Sequence, residues 1–165
     1  GIYFDTDVEV IKSFDKILRK GPFMGCEIDP SEKLDIQVAP GLGISAESGM
    51  TIYREILDFY KTQSFLNEDG SINQETVVTK TTKVLLEHGM KNTKGIQSVA
   101  GVSIYPKEYF NPMNNNTGKL DITENTHSIH WYSMSWMDSK TRTKSKITRI
   151  IHRLFGEDCF AWLRQ

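Results

Sequence analysis

Apolar and polar positions along this chain switch between a two-residue and a 3.6-residue rhythm, and the switches predict strands interleaved with helices. Ile2, Tyr3 and Phe4 open the sequence as a strand-prone run leading straight into Asp5-Thr6-Asp7. Residues of this kind favour a pleated, buried setting. Val8 to Ile11 continue out of it, and residues 13–18 read as a short helical turn closed by Gly21-Pro22. Residues 22–28 form a second apolar run, predicted as a buried strand, followed by a polar loop over 29–33. Residues 41–46 are a glycine-spaced strand or loop, where the backbone can approach a neighbour closely. Ile52, Tyr53, Ile56, Leu57, Phe59 and Tyr60 recur at helical spacing, which predicts a helix over about residues 50–60.

Asn67-Glu68-Asp69-Gly70 has turn chemistry. A second helix is predicted from Asn73 as cap to Glu87, with Val77, Val78, Thr81, Val84, Leu85 and His88 on one side and Gly89 as its stop. Residues 96–99 and 102–105 read as short strands, 106–118 as a loop rich in Asn and Pro, and 128–132 as a strand. The tail changes character. Lys140, Arg142, Lys144, Lys146, Arg149 and Arg153 surround Ile147, Ile150, Ile151, Leu154 and Phe155, a basic amphipathic helix. Phe160, Ala161, Trp162 and Leu163 follow as a last apolar turn.

The 165 residues suffice for one domain with a real core, and the 38% hydrophobic and 25% charged content is that of an ordinary soluble globular protein. A net charge of -1 gives no field directed at nucleic acid. No run of eighteen apolar residues predicts a membrane span, and no secretory signal is visible. Cys26 and Cys159 offer neither a disulfide framework nor metal-type spacing, so a reducing cytoplasm is the expectation. The sequence opens without Met inside a strand that carries its best motif. It is therefore expected to be the later portion of a longer domain.

That motif is Asp5-Thr6-Asp7. In extended chain Asp5 and Asp7 point to the same side. Carboxylates facing one point repel unless a cation lies between them, and oxygen ligands suit Mg²⁺ or Mn²⁺ with phosphate oxygens completing the shell. The same letters fit a haloacid-dehalogenase-type phosphatase with Asp5 as nucleophile and Mg²⁺ assisting. That chemistry also needs a downstream acidic pair near the metal, and neither Asp-Asp nor Gly-Asp-x-x-x-Asp occurs. A second cluster runs over residues 125–136. Alternation puts Ser128, His130 and Tyr132 on one face, His130 can offer a nitrogen ligand, and Ser135 and Trp136 can donate to phosphate oxygens. The competing expectation is a strand end with Trp131 and Trp136 in the core and the histidines on the surface. Glu47 is either a cleft residue or a solvated loop residue. The basic tail is either a solvated face or a surface attracted to anionic headgroups.

The opening stretch through Ile11, then Phe23-Met24-Gly25-Cys26-Glu27, then Gly43-Ile44-Ser45-Ala46-Glu47-Ser48-Gly49 before a helix, then Ile129-His130-Trp131-Tyr132-Ser133-Met134-Ser135-Trp136, together resemble the Asp-x-Asp glycosyltransferases of the capsular-polysaccharide and initiating-mannosyltransferase type, glycosyltransferase family thirty-two. The resemblance covers residues 1 to about 136. It departs at Gly41-Leu42-Gly43, where many relatives carry an Asn, and at Met50-Thr51, where a His-Pro pair is common. It implies an α/β, GT-A-like mixed sheet flanked by helices, lacking the N-terminal nucleotide-binding half. Residues 1–138 would be the C-terminal part of the catalytic domain and residues 139–165 a helical tail. It further implies Mn²⁺ or Mg²⁺, a UDP- or GDP-sugar donor, and transfer with retention to a glycan or lipid-linked acceptor in surface polysaccharide synthesis. The setting would be cytoplasmic, at the inner membrane face. Asp5 and Asp7 would be the catalytic acids, with Asp5 on the donor and reaching the metal through water and Asp7 binding the metal directly. His130 would be the third ligand, and Ser135 and Trp136 would touch the diphosphate.

Overall fold

Short apolar runs separated by turn residues give fourteen short elements in the computed structural model, which describes residues 1–73, 75–134, 137–156 and 159. In chain order they are β1 (Ile2–Tyr3), β2 (Val8–Val10), α1 (Asp15–Leu18), β3 (Phe23–Ile28), β4 (Gln37–Val38), a 3-10 turn (Pro40–Leu42) and β5 (Ile44–Ser45). There follow α2 (Thr51–Lys61), α3 (Val77–Glu87), β6 (Gln97–Val99), β7 (Val102–Tyr105), α4 (Lys107–Phe110), β8 (Ser128–His130) and α5 (Ser139–Phe155).

The sheet is mixed, and β3 is its centre. Its first four residues are buried, as expected of a strand covered on both faces. β7 pairs with it in parallel, whereas β5 and β4 pair with it antiparallel along successive halves of its other edge. β6 extends the sheet beyond β7, and β1 extends it beyond β5. Alternation divides the core in two. Met24 and Cys26 of β3, with Val102 and Ile104 of β7, face Ile52 of α2 and Val84 and Leu85 of α3. Phe23 and Tyr105 point the other way, onto Phe14, Ile17 of α1 and Phe110 of α4. On that second face a Cβ at Gly25 would lie 2.5 Å from Cδ2 of Phe110, so the glycine lets α4 pack against the strand.

Several expectations are corrected by this arrangement. β1 is a two-residue edge strand, with Ile2 47% and Tyr3 58% exposed, so the opening run is not a buried strand. α3 is capped by Thr76, whose hydroxyl accepts from the Thr79 N–H. Asn73 instead makes a turn of its own just upstream, accepting from the Glu75 N–H. The far end of α3 is as expected: the helix runs to Glu87, His88 is its C-cap, and Gly89 follows with φ +89°, the left-handed setting of a helix stop. The 106–118 stretch is not all loop, because α4 begins directly after Pro106, which serves as its N-cap. The last strand ends at His130, since Tyr132 has φ +48°. Among the described residues no helix is long and apolar enough to cross a membrane.

Candidate metal-binding site

A separate two-stranded ribbon builds the site. β2 and β8 pair antiparallel, with Val8 opposite His130, and the Trp131 N–H donates to the Asp7 carbonyl at 3.0 Å. That register places the end of β8 beside the Asp-x-Asp segment. The segment itself is a turn: the Val8 N–H donates to the Asp5 carbonyl at 3.1 Å. The Asp5 N–H donates to the carbonyl of Gly41 at 2.9 Å, which ties the turn to the main sheet's 3-10 connection.

Here Asp5, Asp7 and His130 converge. One ligand atom from each lies within 4.8 Å of the other two. His130 Nε2 is 3.2 Å from Asp7 Oδ1 and 3.8 Å from Asp5 Oδ2. The far oxygens of both carboxylates are anchored. Tyr3 donates its hydroxyl to Asp5 Oδ1 at 2.8 Å. Ser133 donates both its N–H, at 2.8 Å, and its hydroxyl, at 3.0 Å, to Asp7 Oδ2. Each acid thus turns its unbonded oxygen toward the imidazole. Burial works to raise the Asp7 carboxyl, but the Ser133 donors and the nearby imidazole outweigh it and hold the group below its ordinary value. The Tyr3 hydroxyl is pushed the other way, by its bond to Asp5 and by that carboxylate's charge.

His130 is held in turn by Tyr132, whose ring meets the imidazole edge-on at 4.2 Å between centroids. The Tyr132 hydroxyl donates to Glu27 at 3.1 Å and accepts from the Asn111 amide at 2.7 Å. Burial, with Glu27 beside it, raises that phenol well above its ordinary value. Around the three ligands lies a cavity of about 310 Å³, also lined by Tyr3, Thr6, Tyr132, Ser133 and Met134.

No family model, curated protein or solved structure matches this chain.

The residues present fit a divalent cation. Two carboxylates and an imidazole are a hard-to-borderline donor set suited to Mn²⁺ or Mg²⁺. Nε2 of His130 is the nitrogen turned to the acids; its buried Nδ1 has no hydrogen-bond partner among the described residues, so the usual outer partner of a ligating imidazole is not among them. Of the predicted site residues, Asp5, Asp7 and His130 are brought together, and Ser135 and Trp136 lie outside the described residues. The two acids converge through a turn and not through the alternation of a strand. Trp131 is no core residue: it is 40% exposed and donates its indole N–H to Glu9 at 2.9 Å. His127 is not on the surface, being buried in stacking contact with Tyr109. Glu47 is exposed and does not line this cavity.

Sequence reasoning missed Tyr3, Ser133 and Gly41 as parts of the site. Only Gly41 carried a signal, its place in a glycine-spaced segment. A Cβ there would fall 2.2 Å from Asp5 Oδ2, so the close approach is to the acid itself. A larger cavity, about 610 Å³, lies against Lys16, Tyr105, Tyr109 and His127 and shares no lining residue with the cluster. Size favours that cavity. The chemistry favours the smaller one, because there two carboxylates and an imidazole converge on one point.

Proposed function

We propose that Asp5, Asp7 and His130 hold Mn²⁺ or Mg²⁺ for a nucleoside-diphosphate sugar, and that the chain is part of a retaining GT-A-type glycosyltransferase. The observation carrying this reading is the convergence of two acids near one end of the chain with an imidazole about 120 residues later, beside a cavity at the small end of the ligand-pocket range. The bound ion would supply Lewis-acid stabilisation of the charge growing on a leaving diphosphate. The protein's own part is orientation. Ser133 fixes Asp7 and Tyr3 fixes Asp5, so neither acid has to reorganise when the ion arrives. His130 serves as a neutral imidazole, with Tyr132 setting its ring. A glycan or lipid-linked hydroxyl would be the acceptor, attacking from the face the diphosphate leaves, and a cytoplasmic setting belongs to the same proposal. The phosphatase reading has less support, because among the described residues no Lys lines the cavity to meet a transferred phosphoryl group.

Mn²⁺ titration followed by electron paramagnetic resonance tests it, with and without UDP or GDP. One site is expected, lost in Asp7→Asn and in His130→Ala and tightened by a nucleoside diphosphate. A chain that takes up no Mn²⁺ defeats the metal assignment. A chain that takes it up with no response to either diphosphate keeps the metal and removes the support for a diphosphate-bearing donor at this cluster.

A further inference from the structure

Helix α5 packs the wrong way round for a helix that belongs only to a water-soluble domain. Its residues Ile147, Ile150, Leu154 and Phe155 are 53%, 60%, 70% and 72% exposed. Positions 147, 150 and 154 recur at three- and four-residue spacing, so they form one stripe. The opposite, polar face is the docked one. His152 is buried, and Arg149 donates to the carbonyl and the side-chain oxygen of Asn115 at 3.0 and 2.6 Å. Arg153 donates to the Gly118 carbonyl at 3.2 Å. Asp138 caps the start by accepting from the Lys140 and Thr141 N–H groups, so the helix is well formed up to the point where it shows its apolar side to solvent.

The charge on the same helix is of one sign. α5 carries six of the chain's 20 Lys and Arg and none of its 21 Asp and Glu. Lys140, Arg142, Lys144, Lys146 and Arg153 are exposed and have no carboxylate partner among the described residues. On a helical wheel Lys140 and Lys144 sit beside the apolar stripe, and Lys146, Arg142 and Arg153 flank it.

We infer that the exposed face of α5 is a docking surface for an anionic phospholipid bilayer, with Ile147, Ile150 and Leu154 entering the headgroup–acyl boundary and the cations meeting the headgroups. Two features of the surface choose this occupant. Uniform positive charge matches a uniformly negative plane, and a ridge of bulky aliphatic side chains with cations at its margins is the form taken by helices that lie in a bilayer interface. The inference is independent of the chemistry assigned to the Asp5–Asp7–His130 cluster.

Co-sedimentation of the 165-residue chain with vesicles tests it, using phosphatidylcholine alone against phosphatidylcholine with one third phosphatidylglycerol. Binding is expected only to the second. Replacing Lys144 and Lys146 together by Ala should weaken it by roughly 25-fold, about fivefold per charge. Ile150→Ser with Leu154→Ser should weaken it by at least roughly tenfold. The wild-type chain should keep measurable binding in 0.5 M NaCl, roughly three times a physiological ionic strength, because apolar contact is not screened. No pelleting with anionic vesicles overturns the inference, and so does equal pelleting with neutral ones. Complete loss in salt reduces the contact to charge alone and also overturns it. A concentration-dependent dimer that disappears in the Ile150→Ser, Leu154→Ser variant would place a second copy on the stripe instead. All four positions are exposed, so circular dichroism should show both variants folded, and the salt arm needs no variant.

Discussion

Gly41→Ala is a one-carbon change that should disable the metal cluster while sparing the fold. The glycine lies in the 3-10 turn and has no positive φ, so alanine meets no backbone strain there. Its Cβ, however, would sit 2.2 Å from Asp5 Oδ2 and 2.8 Å from Asp5 Cγ. Ordinary contact requires the carboxylate to retreat by about 1 Å, a displacement large enough to spoil a positioned group. The Asp5 side chain is 41% exposed and free to swing outward, so the folded state is expected to lose no more than about 1 kcal/mol. Retreat takes Oδ2 away from His130 and breaks the bond from Tyr3. Mn²⁺ affinity should fall roughly ten- to a hundredfold, the usual cost of disturbing the groups that orient a ligand. Calorimetric titration gives the affinity, and a thermal melt checks the fold. Tyr3 gives a second readout: its hydroxyl, now held above its ordinary value by Asp5, should ionise at lower pH in the variant, visible as phenolate absorbance. The reasoning fails if Gly41→Ala leaves Mn²⁺ affinity within twofold of wild type. It fails equally if the variant weakens binding as much in an Asp5→Ala background, because the effect would then not pass through Asp5.

Two further outcomes follow, one from the cluster and one from the core. In a chelator, Asp7→Asn should cost about 1–3 kcal/mol at pH 7, since the two bonds from Ser133 lose their charged acceptor. The Asp7 carboxyl lies lower folded than its ordinary 3.8, so its contribution is complete above that value and is lost as pH falls through the folded one. Urea unfolding from pH 6 to pH 2 should therefore show wild type and variant converging below about pH 4, and a pH-independent gap would contradict the assignment. Cys26 is buried, and burial with the charge of Asp29 beside it pushes the thiol up to about 12. At pH 8 one thiol per chain, the partly exposed Cys159, should react quickly with an aromatic disulfide, and Cys26 only after unfolding. Two fast thiols in the native chain would show that the Cys26 side of the core opens readily.

The elements legible in the sequence are those whose pattern meets its own neighbours. β3, α2 and β7 lie where periodicity puts them, because each carries enough apolar residues to define a face, and β6 also lies where expected although Val99 is its one apolar residue. β1 misled because two strand-prone residues say nothing about whether a second strand covers them. α4 was hidden because four residues cannot display a helical period, although Phe110 within it is fully buried. For the site, the three ligands were readable from their chemistry, whereas their geometry was not. Asp5 and Asp7 meet in a turn that depends on Gly41, and the strand that carries His130 stops where Tyr132 takes a left-handed conformation, rare for a residue with a side chain. Ser133 left no mark at all, since a serine one residue past an unforeseen bend looks like any other.

The bond from Ser133 to Asp7 joins residues 126 positions apart. A chain emerging from the ribosome can form β3, β4 and β5 early, yet it cannot close the β2–β8 ribbon until β8 itself, well over a hundred residues after β2, has been synthesised. Closing so long a loop is entropically costly, and that cost is met only after the main sheet has brought the two ends near each other. The ion can then stabilise the finished protein without helping to nucleate it: added Mn²⁺ should slow unfolding and leave the refolding rate unchanged.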